Sequence, residues 1–182
     1  PGAMEEVFQK SVTGEVDYFL PRRFFEELGT VVPTEDLPRA RKIFDDIVFS
    51  PHSREYITNG AEMMLTATQK KGYGLILLSY GDPEFKEQLF ASLGLKRFFL
   101  SDRMLVTARP KVETLRSLAL LGTVVIIDDV LPELETLTAQ AMQQSAEVHG
   151  LLYAPAMLNS VETLPKNITC ISALAEVADL IP

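Results

Sequence analysis

The sequence predicts an α/β protein, a parallel sheet flanked by helices and preceded by a small helical region. Two observations lead there. From Tyr73 onward, short apolar runs alternate with segments whose apolar residues recur at helical spacing. Runs of that kind form parallel strands, and the intervening helices cover both faces of the sheet. Before Tyr73 the apolar residues recur at helical spacing only, and no segment alternates as a strand does.

The helical region comes first. In PRRFFEELG (21–29) Pro21 suits a first turn and Gly29 a stop, and the Phe24–Phe25 pair reads as packing. LPRARKIFDDIVF (37–49) repeats apolar residues at helical spacing through Ile43, Phe44, Ile47 and Val48. In NGAEMMLTATQKKG (59–72), Asn59 and Glu62 have capping-box spacing, Met63 and Met64 are expected to face inward, and Gly72 ends the helix. YGLILLS (73–79) is then the first predicted strand. Asp82 caps the next helix, with Pro83 in its first position and Phe85, Leu89 and Leu93 on one face. KRFFL (96–100) reads as a strand, and PKVETLRSLALLG (110–122) as a helix with Leu115, Leu118 and Leu121 inward. TVVIID (123–128) is a strand, PELETLTAQAMQQ (132–144) a helix, VHGLLYA (148–154) and ITCI (168–171) strands, and SALAEVADLI (172–181) a closing helix.

A chain of 182 residues makes one domain, or one core with an insertion. The expected division is a helical, cap-like region over 5–58 and the α/β core over 59–182, with residues 1–4 (PGAM) as a cloning remnant. The net charge of −8 and isoelectric point near 4.8 argue against nucleic acid as a partner, since an acidic surface repels phosphate backbones. The single Cys170 can form no internal disulfide, which fits a reducing cytoplasm; it has no evident base and reads as core. No apolar run approaches the ~18–20 residues of a membrane span, and nothing near Pro1 reads as a signal peptide. His52 and His149 are too few and too scattered for a zinc site.

Chemistry is expected at the carboxyl ends of the strands, where open parallel sheets gather ligands. Ser79, followed by Tyr80 and Gly81, leads into a helix start; Lys111 opens another helix after Pro110. Asp128 and Asp129 end a strand, and two adjacent carboxylates repel unless a positive charge lies beside them. The hydroxyl and helix end would donate to phosphate oxygens, Lys111 would neutralise their charge, and the two aspartates would hold magnesium through oxygen. One carboxylate alone would suffice to cap the following helix. Glu133, one turn on, reads as solvent-facing.

LILLSYGD, ARPKVETL and TVVIIDDVLPEL, in that order, resemble three motifs of the haloacid dehalogenase (HAD) superfamily. Its second motif is a strand ending in Ser or Thr (here Ser79), its third a helix-start Lys (Lys111), and its fourth an acidic pair (Asp128, Asp129). The resemblance spans roughly residues 58–182 and implies a Rossmann-like core, a helical cap before it, and magnesium-dependent hydrolysis of a small phosphorylated molecule. The family's first motif, a strand ending in Asp-x-Asp whose first Asp attacks phosphorus, has no counterpart. Asp17 lacks an apolar strand and a second Asp, and Asp45 and Asp46 fall in a helical pattern. No catalytic nucleophile is identified, so the chain is expected to be inactive by the covalent route. A non-catalytic module binding a phosphate compound or a partner protein is the alternative. In the family the missing strand lies between those ending at Ser79 and Asp128. Residues 5–20, another chain (making a homo-oligomer) or sequence upstream would have to fill that place.

Overall fold

The structure, a computed structural model, describes residues 21–144, 147–155 and 164–181. Asp17, the opening PGAM and segment 5–20 lie outside the described residues. The fold is α/β with small parallel sheets. Two compact units share the described residues, those up to Ile57 with Leu78–Ala108 in one and Thr58–Leu77 with those from Arg109 onward in the other.

In the first unit, helices α1 (Pro21–Val31) and α2 (Leu37–Val48) pack through aromatic rings. Phe24 stacks on Phe44 at 5.8 Å between centroids, and Phe25 meets Phe44 edge-on at 5.3 Å. Phe24 and Leu28 are buried, as two residues four apart on one helical face should be. Ile43 and Ile47, at the same helical spacing as Phe44, are instead 47% and 60% exposed. Periodicity located an apolar stripe but did not say which part of it a neighbour would cover. Helix α1 also runs past the expected stop at Gly29 to Val31.

Strand β1 (Leu77–Tyr80) is shorter than the apolar run that predicts it, and it pairs with β2 (Met104–Thr107). Between them lies α4 (Pro83–Ser92), where Asp82 accepts the Phe85 amide at 2.9 Å and Pro83 takes the first turn as expected. Asp82→Ala should cost about 1 kcal/mol, the usual scale of a lost N-cap, read as a shift in the urea midpoint. The strand predicted over 96–100 is not one. Leu95–Arg97 form a turn of 3-10 helix and the strand begins at Met104. Gly94, in the left-handed region at φ +70, ends the preceding helical stretch and turns the chain before the aromatic pair can extend.

The second unit holds the larger sheet. Strands β3 (Thr123–Asp128), β4 (Glu147–Tyr153) and β5 (Ile168–Ile171) lie side by side, all parallel, in register Val124 to Val148 and Gly150 to Ile168. Parallel neighbours require a crossover, and α6 (Leu131–Met142) supplies it between β3 and β4. Its inward face carries Leu134, Leu137, Thr138 and Ala141 at helical spacing, all buried. Gly150 permits the close approach. A Cβ there would stand 2.9 Å from both Ile168 Cγ1 and Thr138 Cγ2, inside van der Waals contact. Cys170 packs against the cluster of Leu134, Leu152, Ala154 and Ile168, as the core reading expects.

Helix α3 (Ala61–Lys70) starts differently from its prediction. Gly60, at φ +85, occupies the N-cap with no side-chain cap, so Asn59 and Glu62 form no capping box. Met64 is buried, but its neighbour Met63 is 60% exposed, because adjacent helical residues lie about 100° apart and only one can face inward. Helix α5 (Lys111–Arg116) is half the predicted length; Leu115 is buried and Leu121 is 87% exposed. The closing helix is also brief, a 3-10 turn (Leu174–Glu176) leading into α7 (Val177–Leu180). Glu176 folds back to accept the Ser172 hydroxyl at 2.6 Å and the amides of Ser172 and Ala173. The Ser172 hydroxyl and these amides hold its carboxyl below the ordinary range.

Candidate functional site

Six residues were expected at the strand ends. Ser79, Tyr80 and Gly81 belong to the first unit, and Lys111, Asp128 and Asp129 to the second.

In the first unit, Ser79 is half-buried on β1 and Tyr80 is 37% exposed. Gly81, at φ +141, donates its amide to the Thr107 carbonyl at 2.9 Å, extending the β1–β2 pairing by one bond. That amide is therefore already engaged, and of this trio the Ser79 hydroxyl is the group best suited to meet an anion.

In the second unit the chain brings together three charged side chains. Lys111 is the first residue of α5, directly after Pro110, whose fixed φ suits a helix entry. Asp128 is the last residue of β3. Though 17 positions apart, Lys111 Nζ and Asp128 Oδ2 lie 2.7 Å from one another. Their side chains are only 17% and 8% exposed. Asp128 Oδ1 accepts the Val130 amide at 3.0 Å, closing the turn that leads into α6. The carboxylate thus holds the turn before α6 and serves as counter-ion at once, while α6 itself carries no side-chain cap. Glu133, in the first turn of α6, brings Oε2 to 3.5 Å from the same ammonium.

Here the structure corrects the sequence reading of Glu133. It is half-buried against Lys111 and not solvent-facing. The clue was its position, five residues beyond Asp128 and at the start of a helix fed directly by that strand. Lys111 is largely withdrawn from solvent as well. The positive charge that the carboxylate at the mouth of β3 calls for is supplied, for Asp128, by the chain's own ammonium. Asp129 is exposed, so the two adjacent carboxylates occupy unlike surroundings.

Burial works against the Lys111 charge. The hydrogen bond and Coulomb attraction of Asp128, with a lesser pull from Glu133, outweigh it and raise the pKa above the ordinary 10.5. A lysine whose folded pKa exceeds its unfolded value stabilises the fold fully below the unfolded value. That contribution disappears as pH rises through the folded one. The stability gap between this protein and Lys111→Met should therefore hold from neutral pH to 10.5 and narrow above it, as read by urea unfolding at stepped pH.

Among the described residues no three His, Cys, Asp or Glu side chains gather as a metal cage. Magnesium asks for less, binding through one or two carboxylates while keeping several waters and a substrate phosphate. Each oxygen of Asp128 retains a second lone pair beside its present hydrogen bond, and Asp129 is open to solvent. A sparsely liganded magnesium ion asks for no more than such carboxylates, whereas a closed zinc or calcium site asks for more protein ligands than gather among the described residues. No protein-family model matches the chain, and no characterised protein or solved structure is significantly similar to it.

Proposed function

We propose that this protein handles a small phosphorylated molecule as a magnesium-dependent phosphohydrolase, in the manner of the HAD superfamily that its motifs resemble. The observation that supports the reading is the convergence of Lys111 and Asp128 at the end of β3, with Glu133 beside them. A charged, half-withdrawn ammonium next to carboxylates is suited to hold a phosphate oxygen while the carboxylates hold the metal. Asp128 and Asp129 would carry magnesium, whose chemistry when bound is to offset charge on the phosphoryl oxygens. Lys111 would exchange part of its bond to Asp128 for the phosphate, and Glu133 would keep the ammonium aimed during that exchange.

A second reading, a phosphate-binding module without turnover, draws on one specific observation. Among the described residues, no strand ends in Asp-x-Asp, so none offers the attacking carboxylate of the covalent route.

Two measurements test these readings. Calorimetric titration with inorganic phosphate in magnesium should show binding that falls about tenfold or more in Lys111→Met, the scale of a lost charge-assisted hydrogen bond. Release of nitrophenol from p-nitrophenyl phosphate, with and without magnesium, separates enzyme from binding module. Phosphate binding equal in the parent protein and in a folded Lys111→Met variant would defeat both.

A further inference from the structure

Helix α4 and strand β2 face one another across a gap. Glu87 and Phe90 lie three apart on α4, and Met104 and Val106 two apart on β2, so each pair shares one side of its element. Lys96, Phe99 and Ser101, on the connection between the two, and Pro83 at the start of α4 complete the wall of an open cavity of about 410 Å³. That volume is within the roughly 300–1,000 Å³ of small-molecule sites. Its lining is apolar at the Phe90, Phe99, Met104 and Val106 side chains. The rim carries one ion pair, Lys96 Nζ to Glu87 Oε1 at 2.9 Å.

We propose that this cavity binds a small apolar molecule ending in a carboxylate, its body against the four apolar side chains and its carboxylate on Lys96. The two rim residues are not equivalent. Lys96 is 46% exposed and Glu87 70%, so the lysine lies against the wall while the glutamate reaches into water. A solvent-exposed ion pair is weak, being screened and costly in side-chain entropy. A ligand carboxylate can therefore take the place of Glu87, which keeps its hydration. An amine would need Glu87, the less held of the two, as its partner. This site is separate from the Lys111 cluster and does not depend on the phosphohydrolase reading.

The test uses the whole chain with isotope-labelled methionine methyl groups, the Met104 signal being identified by its loss in Met104→Leu. Phenylbutyrate, phenylbutanol and phenylbutylamine share one apolar body and differ in end group. Phenylbutyrate should move the Met104 signal and bind about two- to five-fold more tightly than the alcohol, the range an exposed pair supplies. Lys96→Gln, a surface change, should remove that preference and leave the alcohol unaffected. Val106→Phe should weaken all three by filling the space. A Met104 signal that none of the probes moves overturns the proposal. So does a preference for the amine, equal binding of acid and alcohol, or a preference that survives Lys96→Gln.

Discussion

Asp128→Ala should lower the free energy of unfolding by about 3 kcal/mol, the scale for taking one partner from a buried ion pair. The loss is not chiefly that of an attraction. It leaves the Lys111 ammonium withdrawn from water with only Glu133, 3.5 Å away, to offset it, and leaves the Val130 amide without its acceptor. The double variant Asp128→Ala with Lys111→Met removes the stranded charge and should recover a good part of that loss. Urea unfolding of the four proteins in the cycle measures the coupling directly. If Asp128→Ala unfolds at the midpoint of the parent, the pair is not buried in solution, and the site proposed on it loses its basis.

Leu134→Ala should cost about 3 kcal/mol or more, through lost burial and the cavity left behind. Leu134 is 0% exposed and belongs to one core cluster with Leu152, Ala154 and Ile168, a cluster that joins α6 to two strands. Because Glu133 precedes it on the same turn, a loosened α6 should also weaken phosphate binding at Lys111. Met63→Ala offers the contrast. With Met63 60% exposed, its truncation should change stability by no more than about 0.5 kcal/mol. Equal losses for the two would mean that the apolar face of α6 is misassigned.

Much of the second unit could be read directly from the chain. TVVIID became a strand because a run of β-branched residues suits a pleated, half-buried surface, and VHGLLYA and ITCI because short, mainly apolar runs can lie inside a parallel sheet. Asp82 and Pro83 started a helix because cap chemistry is local. The failures share a cause. KRFFL has the composition of a strand and became a turn. Met63, Ile43, Ile47 and Leu121 have the composition of core and lie exposed. Which apolar residue is covered depends on the neighbour that arrives, and neighbours distant in sequence leave no local trace.

The candidate site divides along the same line. Local order in the sequence determined which residues stand at strand ends and helix starts, and so singled out Lys111, Asp128 and Asp129 as the places where charge collects. Only the tertiary structure decided their pairing. Parallel packing of β3 with α5 and α6 nearby sets Lys111 on Asp128, draws in Glu133 and leaves Asp129 to the solvent. The physical reason is range. Caps, turns and periodicity act over a few residues, whereas a buried ion pair between positions 17 apart exists only once the layers between them have closed.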